Sequence, residues 1–312
     1  NQTINNHQIF TLTGIPGMPE KDFWLALSLC LLYSFTFLGI VTILAVIKVE
    51  QHLHEPMYYF LAMLVATDFS LPLSSVPTTI SVHWLSWCSV TIDVCITEMF
   101  FIHTFGGVES GVLVAMAFDC FMAIRFPLHH YATVLTHGVI GRIGAAVLLR
   151  SVGIVLPAPL LIKRLPFCHS NTLSHAYCLH QDAMRLPADT CVNSIHGLLA
   201  VIFVIVVDAL LLLASSFLIF QAVLGIASWE ETLKALNTSL SHICAMRLFY
   251  VPLIGMTVIH CFGKNLSPVV HTVIASTYLP LPPLLSQIVY SVRTKQAHQW
   301  IVQVSCGGRV GS

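Results

Sequence analysis

Asp68, Glu98, Glu109, Asp119, Arg150, Asp208 and Arg247 lie inside runs of otherwise apolar residues. Each ionisable group held in hydrocarbon costs on the order of 2.5–3.5 kcal/mol on insertion scales, so each needs a physical reason. Asp68, within Leu64-Val65-Ala66-Thr67-Asp68, lies too deep in its run to snorkel and is read as part of a buried polar network or ion site. Glu109, one turn from Gly106 and beside Ser110, is expected to face other helices. Glu98, Arg150 and Asp208 are read as lying near the interfaces or snorkelling toward them. None of this has the spacing of catalysis. His54-Glu55-Pro56-Met57 departs from the HExxH zinc-protease pattern, adjacent Ser241 and His242 cannot form a nucleophile–base pair on one helix face, and no paired catalytic acids occur. The 16 histidines are scattered. No enzyme activity, metal or cofactor is expected.

The elements carrying these residues are seven long apolar stretches, approximately 24–47, 58–80, 92–124, 139–161, 196–224, 240–259 and 269–290. A stretch of about 20 apolar residues crosses a bilayer as a helix. Charged residues make up 9% of the chain and apolar residues 56%, against about 25% charge in a soluble domain. The solvent of this chain is lipid. Residues 1–23 form a polar tail with no cleavable signal peptide, 24–291 a single seven-helix domain, and 292–312 a short second tail too small for an enzymatic appendage. Lys48, Arg125, Arg142, Lys234, Arg293 and Lys295 fall on one side of this layout. Lys21, Lys163, Arg164, Arg185 and Lys264 fall on the other, with Arg185 deep in a long loop where charge has little topogenic weight. The positive-inside rule therefore favours a cytoplasmic C-terminus. The sequon Asn1-Gln2-Thr3 suits an outer N-terminus glycosylated at Asn1. The formal net charge is zero and no basic tract occurs, so nucleic acid is not an expected partner. Cys88, Cys95, Cys168, Cys178 and Cys191 all fall on the outer side, where disulfides persist. The longest outer segment, about 162–195, reads as a lid tied down by covalent bonds. A transporter or channel would suit the intramembrane acids, but discontinuous helices, a repeated half and a selectivity motif are missing.

Several strings then accumulate. Leu53-His54-Glu55-Pro56-Met57-Tyr58-Tyr59-Phe60 leads into the second stretch, and Met99-Phe100-Phe101-Ile102-His103-Thr104-Phe105 opens the third, which closes on Met116-Ala117-Phe118-Asp119. Lys234-Ala235-Leu236-Asn237-Thr238 with Ser241-His242 begins the sixth, Phe249-Tyr250-Val251-Pro252 follows, and Thr294-Lys295-Gln296 starts the tail. Together they resemble an odorant (olfactory) receptor, of the class I (fish-like) branch of the rhodopsin-like G-protein-coupled receptors, essentially end to end. The resemblance implies an all-α membrane protein, a rhodopsin-like seven-transmembrane-helix bundle in the plasma membrane. It also implies an outer-half pocket for a small-molecule odorant and an inner cleft for a heterotrimeric G protein of the stimulatory, olfactory type. Cys95 would be bridged to Cys178. Cys168 would pair with another lid cysteine, for which Cys191 is available, although the family cysteine is expected nearer Leu186-Pro187; Cys88 is left over.

For the pocket, His103, Gly106, Gly107 and Ser110 stand at i, i+3, i+4 and i+7 on the third helix. Gln181 from the lid, Gly197 and Val201 of the fifth helix, and Tyr250, Thr257 and Cys261 of the sixth complete the candidate ligand set. In class I receptors a basic residue near the outer end of the sixth helix is associated with carboxylic-acid odorants. Cys261 stands where the arginine is expected, so the guanidinium fork for a carboxylate is missing. The expected ligand is small, volatile and largely apolar; recognition of a carboxylic acid would fall to His103 or His260.

The departures cluster where the family signals. Asp119, Cys120, Phe121, Lys234, His242 and Tyr290 occupy the coupling positions, but the expected Asp-Arg-Tyr reads Asp119-Cys120-Phe121, and a thiol cannot replace a long, always-charged fork. The expected Asn-Pro-Ile-Ile-Tyr reads Ser286-Gln287-Ile288-Val289-Tyr290. Ile40 replaces the asparagine that would bond to the network around Asp68. At Cys120, Cys261, His298 and Trp300 the family pattern has arginine, one transition away in codon. A receptor of the same fold that couples poorly is therefore the second reading.

Overall fold

The computed structural model describes residues 9–12, 19–49, 56–84, 89–125, 135–163, 172–173, 176–180, 195–197, 199–200, 202–224, 229–262 and 268–293. In chain order, β1 (Ile9–Leu12), α1 (Pro19–Val49), α2 (Pro56–His83), β2 (Ser89–Thr91), α3 (Ile92–Arg125), α4 (His137–Val155), α5 (Pro157–Ile162) and β3 (Thr172–Leu173) come first. A π-helical turn (Ile202–Val206), α6 (Val207–Leu224), α7 (Trp229–Phe262), α8 (Pro268–Tyr278) and α9 (Leu281–Arg293) complete the chain.

Backbone groups in hydrocarbon must be satisfied within the segment, and the helix is the local solution. Hydroxyls obey the same rule. Thr36 donates to the Leu32 carbonyl at 2.9 Å and Ser216 to that of Leu212 at 2.8 Å, one turn back along their own helices. Among the described residues, five helical spans are long and apolar enough to cross a membrane, and α8 with α9 makes a sixth, bent by 42°. In α7 the shorter segment Ile243–Met256 is apolar.

Three of the seven stretches, expected as single helices, are interrupted. Pro157 lacks the N–H that would continue α4, so that helix ends at Val155 and α5 restarts on the proline. Leu279-Pro280 separates α8 from α9, and the fifth stretch enters α6 through the π turn. Apolar side chains on α1, α4, α5 and α6, such as Phe35, Leu38, Leu149, Leu160, Leu213 and Phe217, are exposed in the isolated chain. In a bilayer they face lipid.

The inner-half core packs Ile40, Phe60, Leu64, Val112 and Met116 of α1, α2 and α3 together. At the outer end a small sheet closes the bundle, in the order β2-β1-β3. β1 pairs antiparallel with β2, Phe10 opposite Val90, and parallel with β3, Leu12 opposite Leu173. Alternate side chains of a strand point to opposite faces, so Phe10 and Leu12 turn inward and are fully buried while Ile9 and Thr11 are exposed. The N-terminal segment, expected only as a polar tail, thus supplies the central strand of the roof.

Candidate functional site

The roof is locked to α3 by the Cys95–Cys178 disulfide, with a Cα–Cα distance of 5.3 Å. Phe10, Leu12, Val82, Met99, Ile162 and Leu173 pack around it. The Tyr177 hydroxyl donates to the Ala275 carbonyl of α8 at 3.0 Å, so the lid also holds the last span.

Beneath this roof α3 presents different faces to different neighbours. His103 is exposed as a residue in the isolated chain, and it borders a crevice of about 10 Å³ whose walls include Met99, Phe100, Val155, Ile162 and His180. That volume is room for about one water. One turn below, none of the described residues lies within 4 Å of the position a Cβ on Gly106 would take, so among them open space continues down this face. Gly107 instead packs against α4, where a Cβ would come 3.0 Å from Ser151 Oγ. The stripe expected at i, i+3, i+4 and i+7 therefore divides between an open side and a packing side.

The ring of His180 stands edge-on to His103 with centroids 6.0 Å apart. It fits because position 197 is glycine: a Cβ there would lie 3.1 Å from His180 Nε2. The His196 ring bonds the Ile154 carbonyl at 3.1 Å, tying the start of the fifth span to α4. Burial, with His103 and His196 adding to it, pushes the His180 imidazole down to about 4, so it is neutral at physiological pH.

Ser110, two turns below His103, begins a polar network across the bundle. Its hydroxyl donates to Asp208 Oδ2 of α6 at 2.7 Å and shares a hydrogen bond with the Tyr250 hydroxyl of α7 at 2.8 Å. Arg150 of α4 forks onto the same carboxylate, Nη1 to Oδ1 and Nη2 to Oδ2 both at 2.7 Å, and Nη2 also reaches the Gly107 carbonyl at 3.3 Å. This corrects the expectation that Arg150 and Asp208 snorkel. The Asp208 side chain is 0% exposed and that of Arg150 28%, because a bidentate pair inside the bundle satisfies both charges more completely than two separate reaches to the interface. Glu98, near the outer end of α3 as expected, is 4% exposed, and its Oε2 accepts the Cys178 N–H at 3.3 Å. The usable signal was opposite charge in two successive spans.

Lower down, Asp68 Oδ2 accepts a hydrogen bond from Ser286 at 3.1 Å while Oδ1 has no partner. Ile40, where an amide donor was expected, is buried in the apolar core. Gln287 is buried with neither amide atom bonded, its carbonyl pressed so close to Gly39 that a Cβ there would collide with it. Glu109 is 5% exposed. At the inner end Asp119 and Cys120 are buried, and Cys120 clusters with Ile219 and Val223 of α6 beside Phe121 and Ile124.

Lys234, His242, Thr257, Cys261 and Tyr290 lie on described helices, but their side chains fall outside the described residues. Asn1, Cys168, Gln181, Cys191 and Val201 lie outside them altogether. Among the described residues, no group of three or more His, Cys, Asp or Glu could hold a metal ion.

A helical membrane bundle with a disulfide-locked roof, an open outer face on α3 and a polar relay beneath it is the architecture of a seven-helix receptor. The olfactory receptor family profile matches residues 29–307. The chain is 57% identical over 298 residues to olfactory receptor 51H1 of Homo sapiens, covering 95% of this chain and 98% of that one. It is 53% identical over 289 residues to human olfactory receptor 51L1, 92% of this chain and 91% of the relative. With olfactory receptor 51E2 of Mus musculus it shares 43% identity over 304 residues, 96% and 95% of the two chains. The chain belongs to the olfactory receptor family: it is a multi-pass, G-protein-coupled odorant receptor of the plasma membrane and not an enzyme.

Proposed function

We propose that this receptor binds a small, largely apolar odorant in the outer half of the bundle, against the face of α3 formed by His103 and Gly106, with His180 and Gly197 as wall and Ser110 and Tyr250 as floor. The observation that carries this reading is the open space at Gly106 beside an exposed His103. Gln181, Val201, Thr257 and Cys261 belong to the same proposed pocket, and Gly107 supports it from behind by letting α4 approach. Ser110 is four residues below Gly106, about 6 Å along the axis, so an occupant of the pocket stands directly above the Ser110–Tyr250 hydrogen bond. A shift of α7 on binding would strain that bond and pass to the Asp208–Arg150 pair. With the N-terminus outside and the C-terminus cytoplasmic, the inner ends of α3, α7 and α9 would then meet a stimulatory G protein through Asp119, Cys120, Phe121, Lys234, His242 and Tyr290.

Surface staining with a cAMP readout against a homologous panel of aldehydes, ketones, alcohols and acids tests the pocket. His103→Ala is expected to lower potency about tenfold at unchanged surface level; unchanged potency would refute the assignment. A second reading, a receptor that displays and binds but couples poorly, is favoured by the burial of the Cys120 thiol among Ile219 and Val223. Cys120→Arg in the same assay is expected to raise the maximal response without moving potency. A full response from the unaltered chain would dismiss this second reading.

A further inference from the structure

We propose that Glu98 is a positioning residue for odorant recognition: it grips the lid through the Cys178 main-chain N–H and so sets His180 over His103. The inference rests on the outer-half pocket proposed above. Glu98 stands one turn below Cys95 on α3 and is 4% exposed. Its Oε2 accepts the N–H of Cys178, the residue whose sulfur is bonded to Cys95, at 3.3 Å. A disulfide alone leaves rotation about its own bonds. A hydrogen bond to the N–H of the same residue adds a second point of attachment and fixes the orientation of that peptide plane. The Tyr177 hydroxyl on the Ala275 carbonyl, at 3.0 Å, adds a third.

Two residues beyond this clamp comes His180, whose ring must enter the gap between His103 and Gly197, where a Cβ would already lie 3.1 Å from Nε2. Little angular freedom at Cys178 is tolerable there. Thr78 of α2 also hydrogen-bonds the carboxyl, with Tyr33 of α1 nearby, so the group that holds the lid amide is itself steadied against α2. Among the described residues neither lysine nor arginine forms an ion pair with it, and Oε1 has no hydrogen-bond partner. An acid in an apolar span is costly, and here it joins the lid backbone at Cys178 to Thr78 of α2.

The test uses the full chain and two readouts. In the purified receptor without ligand, hydrogen exchange of the segment 176–180 is followed in the wild type, Glu98→Gln, which keeps an acceptor oxygen, and Glu98→Leu, which removes it. Thr104→Val, which deletes a buried hydroxyl with no partner, serves as the control. Glu98→Leu is expected to speed exchange about tenfold, while Gln and the Thr104 control leave it unchanged. In cells, potency of the most active member of a straight-chain aldehyde, ketone and acid series is expected to fall about tenfold in Glu98→Leu and to be retained in Glu98→Gln. Combined with His180→Ala, the leucine change should cost nothing further, since both act through one side chain. Unchanged exchange in the leucine chain, additive losses in the double variant, or a glutamine chain as impaired as leucine would each overturn the proposal. Should leucine keep the receptor from the surface, Glu98→Ser, too short to reach the Cys178 amide, takes its place with the same expectations. If no odorant of the series activates any version, the outer-pocket reading fails, while the exchange experiment still decides the role of Glu98.

Discussion

Replacing Arg150 by methionine removes both hydrogen bonds of the guanidinium fork to Asp208 and leaves that carboxylate, 0% exposed, with the Ser110 hydroxyl alone. Breaking a buried ion pair by deleting one partner costs about 3–5 kcal/mol, because the remaining charge stays desolvated and unmatched. Converting both members to apolar residues of similar size removes the charge as well as the bond. Arg150→Met with Asp208→Leu is therefore expected to fall within about 1 kcal/mol of the wild type or above it. Arg150→Lys should lie between, since a single ammonium cannot address both carboxylate oxygens in one plane. Thermal unfolding of the detergent-solubilised receptor gives the order of stabilities, and flow cytometry of surface-displayed receptor gives its cellular consequence. If the methionine variant lay within about 0.5 kcal/mol of the wild type, or the double variant were no more stable than the single, the pair would not be a buried, mutually dependent charge couple. The double variant should also separate stability from signalling. Its Ser110–Tyr250 hydrogen bond loses the anchor on α6, so it is expected to reach the surface yet respond differently to agonist.

Three further outcomes follow from the outer half. Phe10→Ala, at a fully buried position in the central roof strand, is expected to cost about 3–5 kcal/mol in thermal unfolding, whereas Thr11→Ala, on the exposed face, should stay within about 0.5 kcal/mol. Gly197→Ala puts a methyl 3.1 Å from His180 Nε2, so the ring must move a few tenths of an ångström; several-fold loss of agonist potency at normal surface level is the expected reading in the cAMP assay. His180 is held neutral, with its imidazole pushed down to about 4 from 6.5. Its proton binds more readily in the unfolded chain, so its contribution to stability is whole above pH 6.5, falls as the pH drops, and is gone below about 4. Thermal unfolding followed across that window should lose part of its acid sensitivity in His180→Phe.

Apolar run length and the cost of lipid-exposed backbone groups made the helical bundle legible in the sequence, along with its approximate spans. Breaks at Pro157 and Pro280 were written there too, as prolines inside apolar runs, yet run length alone reads straight across them. The Cys95–Cys178 bridge came through family resemblance, whereas the pocket face of α3 is a proposal that starts from helical spacing. Spacing could put His103, Gly106, Gly107 and Ser110 on one side of a helix, but it could not say which of two neighbouring helices would fill the space beside each residue. That depends on Ser151 and Val147 of α4 approaching Gly107 and Gly111 while none of the described residues approaches Gly106.

The polar residues divide most sharply. One chain of 312 residues with 9% charge already determined that it lives in lipid, that its fold is a helix bundle, and that its few intramembrane charges each require a partner, because transfer energies depend on composition alone. Which partner each takes was decided by the tertiary structure. Arg150 and Asp208 are 58 residues apart and meet at 2.7 Å, and Glu98 reaches a lid amide 80 residues away. The same holds for β1, a four-residue segment too short to signal itself, which acquires its place between β2 and β3 through backbone hydrogen bonds to partners that only folding brings alongside. Hydrogen bonding and ion pairing are short-ranged and directional, so their pattern is set by where helices and lid are packed rather than by the order of residues along the chain.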